Sequence, residues 1–303
     1  MIYDVAIIGG GPGGYTAALY CVRSGLSAVV LEKLSPGGQM AATNIVDNYP
    51  GFEEGIDGFT LGQKMKAGAE RFGAQTVLAE VKSADLKSKI KKIDSSEGVF
   101  EAKTVIIATG AEAKKLGLPE ETQLAGKGVA YCATCDGMFY KNKTVAVVGG
   151  GNSAVADALY LSNICKEVYL IHRRGELRAS AVYMNALKAA GNVHLVWNSV
   201  VSELLYDKTL TGITVQNVES GETSNIECSG LFVAVGRLPN TALFKDTVEL
   251  DAGGYIVADE STRTNIPGVF AVGDVRTKAL RQIVTACADG AVASRYIEDY
   301  IRE

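Results

Sequence analysis

The chain has 303 residues, of which 47% are hydrophobic and 21% charged, and its net charge is −4. This composition is typical of a folded globular protein and argues against a disordered chain. A basic excess of the kind found in nucleic-acid-binding domains is missing, and no apolar run approaches the roughly 18 residues of a membrane span. We therefore expect a cytoplasmic protein of two domains, with neither nucleic acid nor membrane as a partner.

Two glycine-rich turns stand 140 residues apart in the chain. Each turn follows a short apolar run, at residues 5–8 and 145–148, and precedes a helix pattern and a second strand pattern. This order predicts two βαβ units with the G-x-G-x-x-G/A fingerprint, in which the helix start binds a pyrophosphate. We expect an α/β fold with two Rossmann-like dinucleotide-binding domains. The matched positions are Gly9, Gly11 and Gly14 in the first turn, and Gly149, Gly151 and Ala154 in the second.

The second strands of the two units end in side chains of opposite charge. Glu32 ends the first, and a carboxylate at this place accepts hydrogen bonds from ribose hydroxyl groups. His172 takes the equivalent place in the second unit, followed by Arg173, Arg174 and Arg178. Guanidinium groups bind a 2′-phosphate through charge-assisted bonds, whereas a carboxylate repels it. The first site therefore suits FAD, and the second suits NADPH better than NADH.

The remaining patterns predict the domain organisation. Short strand patterns over residues 76–103 predict a small antiparallel sheet. Turn-rich segments at 114–119 and 236–240 are typical of linkers. We therefore expect one domain from residues 1–113 and 240–303, and a second domain, residues 114–239, inserted into it.

Cys132 and Cys135 form a C-x-x-C motif, which closes a small disulfide ring and lowers the pKa of one thiol. A zinc site would need two more ligands at metal spacing. The other cysteines are isolated and there are only two histidines, so we expect no metal site. Asp136 follows the motif directly and is a candidate acid–base group, although a loop carboxylate or helix cap would look the same. The isolated cysteines, expected as buried packing residues, are Cys21, Cys165, Cys228 and Cys287.

These motifs resemble the low-molecular-weight bacterial-type thioredoxin reductases, which are class II flavoprotein pyridine nucleotide-disulfide oxidoreductases. The resemblance covers nearly the whole chain and includes the two glycine turns, the dithiol at residues 132–137 and the basic run at 172–178. It implies an FAD domain built from both chain ends, an NADPH domain between them, and a homodimer. Departures are few: Tyr49 stands where Trp is common, and Met138 and Lys127 change the surface that would meet the partner.

The fingerprints, the strand-end charges and the resemblance together give a set of cofactor-binding residues. For FAD they are Gly9, Gly11, Pro12, Gly14, Glu32, Lys33, Gly38, Gln39, Asn48, Val81, Ala108, Thr109, Gly110, Gly273, Asp274, Arg281, Gln282 and Ile283. For NADPH they are Gly149, Gly151, Asn152, Ser153, Ala154, His172, Arg173, Arg174, Arg178 and Gly236.

The expected activity is that of a thioredoxin reductase, in which electrons pass from NADPH through FAD and the Cys132–Cys135 disulfide to oxidised thioredoxin. The resemblance implies that Cys135 lies nearest the flavin and that Cys132 attacks the partner. Because the dithiol and the NADPH site share one domain and serve one flavin, we expect that domain to rotate between half-reactions.

Several alternatives remain at this stage. A related disulfide reductase could serve another protein partner, and a ferredoxin-driven reductase would be expected to lack the basic run. A ferredoxin–NADP reductase of similar fold would lack Cys132 and Cys135. A flavin-binding redox sensor without catalysis is a further possibility, which steady NADPH consumption with a disulfide acceptor would exclude.

Overall fold

The computed structural model describes residues 1–43, 45–179 and 181–303, with no side-chain description for Ala181, Val182 and Lys188. The chain divides into two compact units. Unit 1 contains Met1–Glu112 and Leu238–Glu303, and unit 2 contains Ala113–Arg237. Unit 2 is therefore inserted into the sequence of unit 1. The assignment of FAD to residues 1–113 and 240–303, and of NADPH to residues 114–239, stays a prediction.

The first part of the chain begins with a strand, a helix and a strand, followed by a second helix and further strands. The bounds are β1 Ile2–Ile8, α1 Pro12–Arg23, β2 Ala28–Glu32, α2 Gly58–Glu70, β3 Gln75–Leu78, β4 Val81–Asp85, β5 Lys91–Ser95, β6 Gly98–Ile107 and β7 Ala111–Ala113. A short 3₁₀ helix, Gly38–Ala42, lies between β2 and α2.

The second part repeats the strand–helix–strand order, and the last part returns to unit 1. The bounds are β8 Val129–Ala130, α3 Ala133–Asp136, β9 Thr144–Val148, α4 Asn152–Ser162, β10 Glu167–Ile171, α5 Ala181–Ala189, β11 Val193–Val196, β12 Ser199–Tyr206, β13 Leu210–Asn217, β14 Thr223–Glu227, β15 Gly230–Val233, β16 Arg237–Pro239, β17 Val269–Ala271 and α6 Ile283–Arg302. β7 and β16 form a two-stranded sheet.

Unit 1 is built on a seven-stranded sheet with the order β3-β2-β1-β6-β5-β4, in which β17 also pairs with β6. The small antiparallel sheet predicted over residues 76–103 is confirmed for β4, β5 and the first part of β6, which pair antiparallel, and is wrong for β3. β3 pairs in parallel with β2, and β4 and β5 continue the main sheet through β6. The long strand β6 makes this possible, because its first part pairs antiparallel with β5 while its buried end pairs in parallel with β1 and β17.

Unit 2 has a parallel sheet with the order β11-β10-β9-β15-β8 and a separate antiparallel sheet with the order β12-β13-β14. Both units thus carry a parallel sheet whose first two strands flank a helix. The predicted α/β class with two Rossmann-like units is confirmed. The fingerprint predicted this correctly because each glycine turn follows an apolar strand.

The central strands are apolar because both faces of each parallel sheet are covered. In β1, Val5 and Ile7 pack with residues of α1 and α6 on one face, whereas Ala6 and Ile8 pack with a second cluster on the other face. Successive side chains of a strand point to opposite faces, so a continuous apolar run is what two covered faces require. This burial fixes the strand ends, and with them the turns that carry the candidate site.

Candidate functional site

The first glycine turn lies between β1 and α1 in unit 1. Gly9 has φ 108°, and a Cβ atom there would stand 2.5 Å from the carbonyl oxygen of Ala108, so only glycine fits. Gly11 caps α1 without a side-chain hydrogen bond and would have no described heavy atom within 4 Å of an added Cβ atom. Pro12 starts the helix and needs no N–H partner. The open space at an uncapped helix start fits a diphosphate.

The second glycine turn repeats this arrangement between β9 and α4 in unit 2. Gly149 packs so closely on the Ala234 carbonyl and the Ala154 side chain that a Cβ atom would not fit. Gly151 caps α4 without a side-chain bond from the described residues and faces open space. Asn152 begins the helix, and the exposed Ser153 follows it. The residues predicted to hold the diphosphate of NADPH therefore lie together at one helix start.

Glu32 lies beneath the first turn, at the end of β2. Its carboxylate accepts hydrogen bonds from the Gly10 N–H at 2.7 Å and the Leu34 N–H at 2.9 Å. The side chain is buried, so these two bonds fix its orientation. Each carboxylate oxygen accepts more than one bond, and capacity for ribose hydroxyl groups remains.

His172 occupies the equivalent place in unit 2 but with a different role from its arginine neighbours. Its ring is buried against Gly150, and burial, together with the nearby arginines, lowers its pKa. A neutral buried imidazole contributes no charge to a phosphate site. Arg173, Arg174 and Arg178 are exposed, and the Arg178 N–H donates to the Gly150 carbonyl at 2.7 Å. The basic loop thus folds back onto the glycine turn, and its arginines supply the positive charge.

Residues distant in sequence meet near the start of α1. The Gly37 N–H donates to the Gly10 carbonyl at 2.8 Å, and a Cβ atom on Gly38 would lie 3.5 Å from the Gly11 Cα. Asn48 Nδ2 donates to Gln282 Oε1 at 3.0 Å. These contacts join four segments of the predicted FAD set in two pairs, Gly11 with Gly38 and Asn48 with Gln282.

A second group of predicted FAD residues follows β6. Gln39 Nε2 donates to the Ala111 carbonyl, and Thr109 Oγ1 donates to the Asn240 carbonyl at 2.7 Å. The Asn240 N–H in turn donates to the Gly110 carbonyl at 3.0 Å. These bonds fix the conformation of the chain directly after β6, where Ala108 already contacts the first glycine turn.

The turn after β17 carries Gly273 and Asp274. Arg281 Nε donates to the Asp274 carbonyl at 3.4 Å, and its guanidinium lies 4.0 Å from the centre of the Tyr255 ring. Arg281 thus contacts the turn that carries Asp274, and its predicted part in FAD binding stays a prediction. Ile283 begins α6 just beyond, where Gln282 forms a capping box with Thr285.

Three further predicted residues lie outside the two glycine turns. Lys33 is exposed and pairs with Glu80 at 2.7 Å, and Val81 begins β4 nearby. Lys33 directly follows β2, and Val81 directly follows its partner Glu80. In unit 2, Gly236 has φ 118° and its carbonyl accepts from the Lys114 N–H at 3.0 Å.

The redox-active pair lies at the start of the short helix α3. Cys132 and Cys135 form a disulfide with their Cα atoms 5.3 Å apart, and Cys132 caps the helix. Both cysteines and Asp136 are partly exposed. Burial raises the pKa of Asp136 from 3.8 to about 6. A carboxyl group of this kind exchanges protons near neutral pH, as an acid–base partner for thiols must.

Sequence reasoning missed several residues that the structure connects to these sites. Cys287 is not fully buried, and its thiol lies 3.7 Å from the Tyr49 hydroxyl. Asp289 accepts from the Gly273 N–H at 2.8 Å. Glu121 accepts from the Tyr131 hydroxyl at 2.9 Å, directly before Cys132. Cys287, Asp289 and Glu121 belong to no short sequence motif, so only their contacts in the folded protein identify them.

Neither a metal-binding cluster nor a membrane-crossing helix occurs in the part of the chain that the structure describes. No cluster of three or more His, Cys, Asp or Glu side chains there could hold a metal ion. No helix formed by these residues combines the length and the apolar character needed to cross a membrane.

Comparison with known proteins identifies the family. Residues 3–290 match the family described as pyridine nucleotide-disulphide oxidoreductase. A thioredoxin reductase of Streptomyces clavuligerus is 45% identical over 99% of this chain and 94% of its own, and one from Listeria monocytogenes is 44% identical over 100% and 95%. The crystal structure of thioredoxin reductase from Streptococcus pyogenes MGAS5005 is 41% identical, covers 99% and 98% of the two chains, and gives a TM-score of 0.92. The chain, with two glycine turns and a Cys132–Cys135 disulfide, belongs to the thioredoxin reductases, oxidoreductases of the pyridine nucleotide-disulphide oxidoreductase family.

Proposed function

We propose that this chain is an NADPH-dependent reductase that passes electrons from NADPH through FAD and the Cys132–Cys135 disulfide to oxidised thioredoxin. The observation that carries the proposal is the disulfide itself, which lies in the same unit as the second glycine turn and its arginine loop. In a pyridine nucleotide-dependent oxidoreductase, a dithiol passes two electrons on by reducing the disulfide of a partner and is itself oxidised to a disulfide.

The family implies a flavin and a nicotinamide cofactor, and the two turns indicate which nucleotide each unit takes. When bound, FAD and NADPH supply a two-electron path to the disulfide. In unit 1, the open space at Gly11 supports a diphosphate there, and a carboxylate at the end of β2, where Glu32 lies, is the group that accepts from ribose hydroxyls in such units. In unit 2, exposed Arg173 and Arg174 favour a 2′-phosphate, which supports NADPH over NADH.

The thiol chemistry follows from the arrangement of α3. In the reduced protein one thiolate, assigned by family resemblance to Cys132, attacks a sulfur atom of the partner disulfide and forms a mixed disulfide. The Cys135 thiolate then attacks Cys132, which releases the reduced partner and restores the Cys132–Cys135 disulfide. Asp136, one residue beyond Cys135, is the proposed group that gives or accepts the proton of a thiol in these steps, and its raised pKa supports that role.

Thioredoxin is proposed as the partner, and a homodimer as the assembly. Met138 and Phe139 are exposed immediately after the dithiol, where an apolar surface can meet a protein substrate. Tyr20 on α1 and Val284 on α6 are also exposed apolar side chains on two helices that pack together. They are candidates for the proposed dimer interface, and sedimentation measurements would test whether the protein is a dimer.

The proposed reaction also requires rotation of unit 2 relative to unit 1. The nicotinamide and the disulfide belong to one unit and both must reach the flavin in turn. The crossing segments near residues 114–119 and 236–240 are the proposed hinges.

The function is tested by measuring NADPH oxidation by the FAD-loaded protein with a panel of oxidised thioredoxins and glutaredoxins. We expect steady turnover with at least one thioredoxin and much slower turnover with NADH. Turnover with glutaredoxins alone would exclude thioredoxin as the partner class, and absence of NADPH oxidation with every disulfide would exclude the reductase function.

A further inference from the structure

A group of charged side chains is buried in unit 1 behind the Gly273 turn. Asp289, in the second turn of α6, accepts from Arg276 Nη2 at 2.7 Å, Arg276 Nε at 3.0 Å and Lys278 Nζ at 2.7 Å. The three side chains are 7%, 2% and 5% exposed. We call Arg276, Lys278 and Asp289 the buried charge cluster.

Stability alone does not account for this cluster. Removing charges from water costs several kcal/mol for each ion, and well-packed apolar side chains often replace such groups without loss of stability. Two carboxylates outside the cluster also interact with Arg276: the exposed Glu260, 3.9 Å from Arg276 Nη2, and Asp259, whose pKa Arg276 helps to lower. The arrangement instead fixes the position of the Asp289 side chain, because both of its carboxylate oxygens accept hydrogen bonds from the cluster.

Asp289 fixes the backbone turn at Gly273, the residue directly before Asp274. Asp289 Oδ2 accepts the Gly273 N–H at 2.8 Å, and Gly273 has φ 75°, a left-handed conformation that suits glycine. Arg276 Nη1 extends the network to the Ala258 carbonyl at 3.2 Å. The direction in which the backbone leaves Gly273 determines where the Asp274 carboxylate lies.

The same helix connects this turn to the start of α1. A Cβ atom on Gly13 would lie 3.1 Å from the Ala286 carbonyl oxygen, and one on Gly273 would lie 3.5 Å from the Ala286 Cβ. α6 therefore contacts both the helix start proposed for the diphosphate and the turn that carries Asp274. A change at Asp289 alters the second of these without directly touching the first.

We propose that Asp289, held by Arg276 and Lys278, is a positioning residue that sets the Asp274 turn for the part of FAD beyond its diphosphate. This inference rests on the proposed FAD site. It predicts a split between ligands: FAD should depend on the cluster, whereas ADP, which carries only the adenosine and diphosphate part, should not.

The test is titration of the flavin-free full chain with FAD and with ADP. Asp289→Asn should raise the Kd for FAD by roughly 10- to 100-fold, the effect of one or two charge-assisted bonds, with the Kd for ADP within about twofold of wild type. Lys278→Met, which keeps the Arg276–Asp289 pair, should raise the FAD Kd by a smaller factor. Asp299→Asn removes an exposed partner of Arg295 on the same helix and is the matched control, with no change expected.

Several outcomes would overturn the inference. An unchanged FAD Kd in Lys278→Met and Asp289→Asn would do so, as would equal losses of FAD and ADP affinity, which indicate general damage to unit 1. Should Asp289→Asn not fold, Lys278→Met decides the matter alone: a wild-type FAD Kd rejects the role. Failure of the wild-type chain to bind FAD at all would instead reject the proposed FAD site.

Discussion

Asp136 lies one residue from the disulfide, and burial of its carboxyl raises its pKa from 3.8 to about 6. The group therefore keeps its proton up to about pH 6 and is ionised above it. Asp136→Asn should slow thiol–disulfide exchange by roughly 10- to 100-fold and remove the inflection near pH 6 from its rate profile. The measurement is the rate of thioredoxin reduction from pH 5 to 8.

Asp157 on α4 provides a matched control for that experiment. Burial raises its pKa to about 6 as well, although Arg237 opposes the shift. Asp157 does not neighbour the disulfide in sequence, so Asp157→Asn should leave the inflection in place. If Asp157→Asn loses the inflection and Asp136→Asn keeps it, the proton transfer belongs to Asp157, and the role proposed for Asp136 is wrong.

The Asp136 carboxyl also predicts a pH dependence of stability. The folded state holds this proton more tightly than the unfolded state, so the unfolded state loses it first as the pH rises from about 4 to about 6. The free energy of unfolding that this group contributes therefore falls over that range. Asp136→Asn should flatten the dependence measured by urea unfolding, whereas an equal slope in both proteins would show that burial of Asp136 is not the cause.

Arg173 and Arg174 are the exposed cations proposed to bind the 2′-phosphate. Replacing both with alanine should raise the KM for NADPH strongly, since each lost charge-assisted bond costs roughly 1.5–3 kcal/mol. The KM for NADH serves as the internal control and should change little, because NADH has no 2′-phosphate. Equal effects on both nucleotides would mean that the arginines support the loop rather than read the phosphate.

At the scale of elements, Glu121 holds the first crossing segment to unit 2. Its buried carboxylate accepts from the Leu116 N–H at 3.0 Å, the Gly117 N–H at 2.8 Å and the Tyr131 hydroxyl at 2.9 Å. Residues 116–117 are thus tied to the strand end that precedes Cys132. The sequence predicts a hinge over residues 114–119. The bonds to Glu121 restrain residues 116 and 117, so we expect a shorter hinge than the sequence indicates.

Glu121→Gln replaces one acceptor oxygen with an NH2 group, which donates but cannot accept, so the donor that faced that oxygen loses its partner. We expect unit 2 to lose roughly 1–3 kcal/mol of stability, the cost of leaving buried donors unpaired. Hydrogen exchange at the Leu116 and Gly117 amides should accelerate accordingly. The neighbouring Glu120 accepts none of the three bonds, so Glu120→Gln is the control, and equal exchange in both variants would contradict the anchoring role.

The elements also show where sequence reasoning succeeds. The glycine fingerprint identified α1 and α4 because only glycine fits at Gly9 and Gly149, so the residue type itself marks each turn, although the backbone that excludes a side chain there belongs to distant residues. The pairing of β3 was wrong because local alternation does not distinguish a parallel neighbour from an antiparallel one. His172 lies under Gly150, and Asp289 beneath Gly273, through contacts between segments far apart in sequence, which no local pattern encodes.

For the whole molecule, the proposed rotation predicts two separable half-reactions. An engineered cross-link between the units should hold a single arrangement. A form locked with the disulfide at the flavin should not reduce FAD with NADPH, and a form locked the other way should do so but fail to reduce thioredoxin. Cleavage of the cross-link should restore turnover, and full activity in both locked forms would show that rotation is unnecessary.

The central claim is that electrons from NADPH leave the protein through the Cys132–Cys135 disulfide. Anaerobic titration of the FAD-loaded protein with NADPH tests it most directly, with oxidised thioredoxin added at the end. Because a disulfide and a flavin each take up two electrons, wild type should consume about two equivalents of NADPH per chain and Cys135→Ser about one. Only wild type should then reduce thioredoxin. Equal NADPH consumption by the two proteins, or reduction of thioredoxin by Cys135→Ser, would contradict the account.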